Sequence, residues 1–234
     1  SIREINYIKG NHLDFYKLTV NDLEHGKKLF IFYPFVKDQR SYARYGIEAY
    51  GEMLRQKTGK KVLVYHAKSD DSTLNTLEDV NKHWNQYDVI LTTSKITVGV
   101  SFELKHFDRI WLGMADYIRP RDIIQSSCRV RCTKDNVINA MVLDRWKPPS
   151  LDKCPDIDEV YTALKQDIFT EDKAPLEKTF KLFCNLAGFK FKNIKANVSQ
   201  AVRAEYKKFF EKTELMYSYG KIDDLSDEEA LEVM

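Results

Sequence analysis

Short apolar segments alternate with longer polar, helix-like stretches between residues 28 and 144 of the chain. Continuous apolar segments predict strands that are buried on both faces of a parallel sheet. Five strands are expected, at 29–33, 61–65, 88–92, 109–113 and 137–144. Apolar positions at helical spacing predict intervening helices at about 38–56, 74–84 and 122–131. This alternation predicts an α/β domain that binds its ligands at the carboxyl ends of the strands.

The alternation stops after Pro149, where helices are expected at 157–166, 176–187 and 198–210 and no further strand is predicted. We therefore divide the chain into a lead-in or linker (1–27), an α/β domain (28–149) and a helical appendage with an acidic end (150–234). Residues 173–212 carry ten Lys or Arg against three Glu, whereas residues 213–234 carry one Lys against seven acidic residues. The basic stretch is either a solvated helix face or a surface for nucleic acid.

Composition narrows the possible classes of protein. The 234 residues are 43% apolar, which is enough for a substantial core. Because 37 Lys or Arg nearly balance 35 Asp or Glu, the net charge of +2 gives no global field for nucleic acid or membranes. No apolar run is long enough to span a membrane and no export signal is seen, so we expect an intracellular protein, nuclear or cytoplasmic. The chain begins with Ser1, from which we expect a processed protein or an excised fragment.

Sequence motifs for metals and phosphates are missing. The four cysteines form no CxxC pair, which predicts free thiols and no metal site. No GxxxxGK[ST] loop occurs, because Gly59-Lys60 lacks the preceding glycine and the following hydroxyl. No Asp-Glu pair follows an apolar strand, as a magnesium-binding pair would. A nucleotide that contacts this chain therefore needs its main binding site elsewhere.

Two segments carry side chains suited to phosphate chemistry. The hydroxyl-rich segment (residues 91–102) reads LTTSKITVGVSF, and the arginine segment (residues 123–131) reads IIQSSCRVR. Hydroxyls and a glycine after a strand can bind phosphate oxygens. Gln125 and Arg129 are four residues apart on one face of the expected helix, and a fixed guanidinium can stabilise a transferring phosphoryl group. The structural alternatives are ion pairs for the arginines and a turn cap for Thr92 to Ser94.

The segments KLFIFYPF, VLVYHAKSDD, VILTTSKITVGVSFE and DIIQSSCRVR, in this order, resemble motifs IV, V and VI of the second RecA-like domain of superfamily 2 helicases. The resemblance covers residues 28–144. TVGVSF, HFD and QSSCRVR are most similar to the viral replication origin-binding helicases of the herpesvirus type. The resemblance implies a RecA-like parallel sheet flanked by helices, followed by a mainly helical C-terminal appendage. It also implies part of an ATP-dependent DNA helicase or translocase that acts in viral DNA replication.

The same resemblance implies roles for individual residues. Those implied to act in catalysis at the nucleotide are Gln125, Arg129 and Arg131. Those implied to contact the nucleotide are Gly99, Ser101, Gln125 and Arg129. Those implied to contact nucleic acid are Thr92, Thr93, Ser94 and Lys95. ATP and Mg²⁺ would be held mainly by an N-terminal RecA-like domain of the same protein, so the isolated chain is expected to be inactive. The other implied partners are DNA, as a single strand or a fork, and further replication proteins.

The chain departs from the superfamily pattern QxxGRxGR at three places, one of which is Arg131, one position before the usual second arginine. Cys128 replaces the first glycine and Cys132 the second arginine, so Arg129 is the expected arginine finger. We expect Cys128 to be a small buried thiol and His66 to have a local structural role rather than a catalytic one. Core positions are expected for Trp84 and Trp111. Two other functions remain open, a non-catalytic RecA-like module that docks DNA or a protein, and a translocase subunit of a restriction or remodelling enzyme.

Overall fold

Seven parallel strands form one sheet in a computed structural model that describes residues 3–39, 43–94, 100–115, 118, 120–144 and 176–212. The strands are β1 Glu4–Lys9, β2 Leu29–Phe32, β3 Val62–Tyr65, β4 Val89–Thr92, β5 Arg109–Ala115, β6 Val137–Asp144 and β7 Lys190–Lys195. Their order across the sheet is β3-β4-β2-β5-β6-β1-β7. The longer helices are α1 His12–Glu24, α2 Ile47–Thr58, α5 Pro120–Ser127, α6 Leu176–Leu186 and α7 Gln200–Lys212, and the short helices are α3 Asp71–Asn75 and α4 Val80–His83. This parallel sheet flanked by helices confirms the predicted fold class.

The central strands are apolar throughout because helices cover both faces of the sheet. In β2, Leu29 and Ile31 join a core with α1, α2 and α7, whereas Phe30 and Phe32 join a second core with α5 and α6. Complete burial of each such side chain contributes roughly 1.5–3 kcal/mol. Trp84 and Trp111 are 0% and 2% exposed, which confirms the core positions predicted for them.

The sheet contains two strands more than the five predicted. β1 arises from the stretch interpreted as a lead-in, and it lies between β6 and β7. Its polar Asn6 is accommodated because its Nδ2 donates to Oδ1 of Asn139, on the paired strand, at 3.0 Å. β7 lies between α6 and α7, in the region where no strand was predicted. The residue ranges of the predicted helices at 176–187 and 198–210 match α6 and α7, whereas that at 157–166 lies outside the described residues.

Several helices begin or end at residues that differ from the prediction. α2 begins at Ile47 rather than near residue 38, because Gly46 precedes it in an extended conformation. A Cβ on Gly46 would lie 2.5 Å from the carbonyl oxygen of Val36, so the close backbone approach requires glycine. The predicted helix 74–84 is divided into α3 and α4, each capped at its start by an aspartate, Asp70 and Asp79. None of the helices within the described ranges is long and apolar enough to cross a membrane.

A buried ion pair joins the first and last described helices. Asp14 in α1 is 0% exposed, and both its oxygens accept from Arg203 in α7, at 2.6 and 3.0 Å. One of these oxygens also accepts from the backbone N–H of Asn11, the residue that caps α1. Planar pairing of this kind is the strongest form of charged hydrogen bond between side chains. It fixes α7 against the sheet face that α1 covers.

We predict that Arg203→Ala lowers the free energy of unfolding by about 2 to 3 kcal/mol, because the Asp14 carboxylate is left buried without its charged partner. Urea unfolding of the chain measures this change. Lys208→Ala, on an exposed position of the same helix, is the control and should change stability by less than about 0.5 kcal/mol. Equal stabilities of the two variants would contradict the prediction.

Candidate functional site

The structure joins the hydroxyl-rich segment to the arginine segment through the backbone of Phe102. The N–H of Phe102 donates to the carbonyl of Arg129 at 2.8 Å, and its carbonyl accepts from the N–H of Arg131 at 2.8 Å. Phe102 and Val130 thereby form a parallel bridge, and both side chains are fully buried. The Phe102 ring stacks on Trp84 at a centroid distance of 5.7 Å. The two candidate segments are therefore fixed to each other by main-chain bonds over a packed core.

Side-chain contacts follow the same connection. Nε of Arg131 donates to Oγ of Ser101 at 3.0 Å. Arg129 reaches the carbonyl of Val100 through one terminal nitrogen, at a long 3.4 Å. Its Nε is buried and has no hydrogen-bond partner among the described residues. The guanidinium of Arg129 is therefore held only weakly by the described residues.

Arg3 is a member of this group of residues that the sequence did not indicate. Its guanidinium donates to the carbonyl of Ser127 at 3.0 Å and also to the carbonyls of Val130 and Arg131. Burial lowers the pKa of Arg3, which still stays charged because the ordinary value of an arginine is far above neutral pH. No pattern could reveal this contact, since Arg3 lies in a polar stretch 124 residues away from Ser127 along the chain.

The expected helix of the arginine segment ends earlier than predicted. α5 ends at Ser127, so Arg129 and Arg131 lie beyond the helix and do not share its face with Gln125. Hydroxyls of Ser126 and Ser127 accompany this end by donating back to carbonyls of the preceding turn. Val130 then takes an extended position beside Phe102. The predicted helix to residue 131 is therefore wrong, and Gln125 is an exposed side chain on α5.

The arginines lie near the amino ends of the strands rather than the carboxyl ends. The N–H groups of Lys134 and Asp135 donate to the carbonyls of Phe107 and Asp108, immediately before β5. Arg3 immediately precedes β1. α5 runs back from the carboxyl end of β5, so the segment after it returns to the amino ends of the strands. The expectation that all candidate residues gather at carboxyl ends is therefore wrong for the arginines.

The hydroxyl-rich segment begins at the carboxyl ends of the strands. Thr92 ends β4, and its hydroxyl donates to the carbonyl of Thr93 at 2.9 Å. Thr92 and Thr93 are buried, whereas Ser94 is exposed. Lys95 and Gly99, to which contacts with nucleic acid and nucleotide were assigned, lie outside the described residues. The structure thus brings Ser101, Arg129 and Arg131 together near the amino ends of the strands. It leaves Thr92 to Ser94 at the carboxyl end of β4.

The remaining residues discussed from the sequence are His66 and Cys128. His66 is 4% exposed, its Nε2 lies 2.6 Å from Oε1 of Glu48, and its Nδ1 accepts from the N–H of Lys68. Both ring nitrogens thus have partners in the loop and helix around them. Cys128 is exposed, so the expectation of a buried thiol in place of glycine is wrong. Within the described ranges, no three His, Cys, Asp or Glu side chains come together as metal ligands.

Comparisons with known proteins find one family model and two viral proteins that are similar to this chain in sequence. The family model described as "Origin of replication binding protein" matches residues 3–217. A protein of Acanthamoeba polyphaga mimivirus named "Uncharacterized putative helicase" is 29% identical over 119 residues, which are 50% of this chain and 11% of that protein. A second protein of this virus, named "Putative replication origin-binding protein", is 32% identical over 83 residues, 34% of this chain and 10% of its own length. The chain thus spans about a tenth of the length of these curated relatives.

A solved structure shares the fold. Domain 2 of the DEAD-box helicase Mss116p, bound to an RNA duplex, superposes with a TM-score of 0.53 at 13% identity, over 88% of this chain and 68% of that one. At this identity the likeness concerns the fold alone. It confirms the RecA-like architecture that the sequence resemblance implied.

We predict that Phe102→Ala loosens the junction between the two segments. Loss of the buried ring should lower the free energy of unfolding by about 3 to 5 kcal/mol. Hydrogen–deuterium exchange at the amide of Arg131 should become faster, because that amide donates to the Phe102 carbonyl. Leu104→Ala in the same loop is the control, since Leu104 is 43% exposed. Unchanged exchange at Arg131 in Phe102→Ala would contradict the proposed role of the bridge.

Proposed function

The chain belongs to the origin of replication binding protein family, and we propose that it is the second RecA-like half of an ATP-dependent DNA helicase or translocase that acts in viral DNA replication. In this proposal the chain supplies an arginine finger and contacts to a DNA strand, and an N-terminal RecA-like domain supplies the loop that holds the phosphates. The names of the mimivirus relatives, a helicase and a replication origin-binding protein, support the proposal. So does the absence of a GxxxxGK[ST] loop from these 234 residues.

The observation that carries the proposal is the junction at Phe102. Main-chain bonds on both sides of this residue hold the arginine segment in one conformation. Arg129 then presents a guanidinium whose buried Nε lacks a partner within the described part of the chain. Arg131 is held by Ser101 and adds positive charge beside it. A fixed guanidinium costs little reorganisation when negative charge develops on a phosphoryl group.

ATP and Mg²⁺ fit these residues only in part. The guanidinium of Arg129, whose described hydrogen bond to the carbonyl of Val100 is long, suits the terminal phosphate, and Ser101 and Gln125 are the further contacts we assign to the nucleotide, together with Gly99. The described residues offer no cluster of metal ligands, so we assign Mg²⁺ to the N-terminal domain. ATP supplies the phosphoryl group whose transfer to water releases the free energy for movement. Arg129 stabilises the negative charge of that transfer, and Arg131, through Ser101, keeps the two segments in register.

We assign the contact with DNA to the carboxyl ends of the strands. Ser94 is exposed beyond the carboxyl end of β4, and we propose that Ser94 and Lys95 contact the sugar-phosphate backbone while the buried Thr92 and Thr93 support them from the strand end. Only residues 95–99 separate Ser94 from Val100, which lies beside Arg129. A short connection of this kind couples closure at the nucleotide to movement along the strand. Such backbone contacts would be independent of DNA sequence and sensitive to salt.

We predict that Arg129→Ala in the full-length protein lowers kcat for ATP hydrolysis by at least about a hundred-fold, because arginine fingers contribute large factors to turnover. Nucleotide binding should persist, since the main phosphate site lies on the other domain. Steady-state hydrolysis and equilibrium binding of a fluorescent nucleotide measure the two effects. Arg55→Ala on α2, whose guanidinium contacts Glu52 and the carbonyl of Val62, is the control. An Arg129→Ala protein with wild-type turnover would refute the assignment.

We also predict that these 234 residues alone show no measurable ATP hydrolysis, because they lack a phosphate-binding loop. A coupled assay at saturating ATP, with and without single-stranded DNA, measures this. Robust hydrolysis by the isolated chain would overturn the division of labour between the two halves.

A second candidate function is a DNA-docking module without nucleotide chemistry. Exposed lysines on the edge strand β7, Lys190, Lys192 and Lys195, favour it. Lysines on an edge strand are also a common protection against aggregation, so their presence alone does not indicate DNA binding. Charge reversal distinguishes the two functions: if Lys190→Glu with Lys192→Glu abolishes DNA binding while Arg129→Glu leaves ATP hydrolysis intact, the docking module is correct.

A further inference from the structure

Three backbone carbonyls converge on the guanidinium of Arg3. They belong to Ser127, which ends α5, to Val130, which is the bridge partner of Phe102, and to the next residue, Arg131. The carbonyls at a helix end have no partner within the helix and carry partial negative charge, which a cation neutralises. A planar fork of five N–H donors can serve several carbonyls at once, and a lysine cannot reproduce this geometry. Arg3 therefore closes the turn between Ser127 and Arg131.

The backbone of Arg3 is itself anchored in the sheet. Its carbonyl accepts from the N–H of Lys190 in β7 at 3.1 Å, and the N–H of the next residue, Glu4, donates to the carbonyl of Asn136 at 3.1 Å. The side chain thus reaches the turn from a fixed point between two neighbouring strands. Phe102 holds the same turn from the other side. Arg129 lies between Ser127 and Val130, whose carbonyls Arg3 contacts, and its own carbonyl accepts from Phe102.

We infer that Arg3 is a positioning residue for Arg129, which sets the orientation of the finger through the three carbonyls without contacting the nucleotide. This inference rests on the proposed function. Arg131 shares the turn, so Arg3 also brings a like charge close to it. The bonds to the carbonyls offset the repulsion between the two guanidinium groups. The two charges together raise the positive potential at the turn. Misplacement of a catalytic group by about 1 Å can cost a hundred-fold in rate, so loss of the attachment should be visible in turnover.

The test uses ATP hydrolysis by the full-length protein. Arg3→Met keeps an unbranched apolar side chain close in length to the aliphatic part of arginine and removes all donors. We expect kcat to fall by about ten- to hundred-fold, with KM for ATP changed by less than about two-fold. Arg3→Lys, which keeps the charge but not the fork, should give an intermediate kcat. Lys9→Met, at the exposed far end of β1, removes the same charge and should behave as wild type.

A double variant distinguishes positioning from a general structural role. If Arg3 acts through Arg129, adding Arg3→Met to Arg129→Ala should lower kcat no further. A further ten-fold loss would overturn the inference, as would wild-type kcat in Arg3→Met. Failure of Arg3→Met to fold would also overturn it, because it would show that Arg3 supports the core rather than the turn. If Arg129→Ala itself keeps wild-type turnover, the proposed function fails instead.

Discussion

The hydrogen bonds on both sides of the Phe102 backbone are the constraint on which the candidate site depends. They join two segments that are separate in sequence, and the buried stack of Phe102 on Trp84 makes the junction rigid. Without it, Arg129 and Arg131 would lie on a surface turn just past the end of α5. With it, their backbones have fixed places, and the side chains of Ser101 and Arg131 meet. Groups that stabilise charge in a transition state must be fixed in advance. If they have to reorient during the reaction, the free energy of reorientation cancels part of the stabilisation.

The sheet separates the two proposed activities in space and connects them in sequence. The exposed Ser94 follows the carboxyl end of β4, whereas the arginines lie near the amino ends of β5, β6 and β1. One short segment of the chain runs from the first place to the second. Arg3 extends the constraint at Phe102 to β1, so the first strand of the chain takes part in the arrangement of the arginines.

The apolar central strands could be predicted from the sequence, because burial on both faces leaves a continuous apolar signature. β1 and β7 could not. Asn6 in β1 is polar, and its hydrogen-bond partner Asn139 belongs to a strand far away in sequence. A local pattern therefore gave no sign that Asn6 lies in the sheet. β7 has lysines at the exposed edge and partly buried side chains only at Phe191 and Ile194, a spacing that does not alternate. The end of α5 and the contacts of Arg3 depend on tertiary hydrogen bonds, which no local pattern encodes. The resemblance implied that Ser101 and Arg131 both act at the nucleotide, but it did not predict the contact between their side chains.

The central claim is that the Phe102 junction presents Arg129 to the terminal phosphate of a nucleotide held by the other half of the protein. A structure of the full-length protein with ADP, aluminium fluoride, Mg²⁺ and single-stranded DNA tests this claim most directly. We expect a terminal nitrogen of Arg129 to lie about 3 Å from the fluoride that replaces the transferring phosphoryl group, with the bonds of Phe102 intact. An Arg129 that faces solvent or an acidic side chain in that complex, while another residue occupies the site, would contradict it.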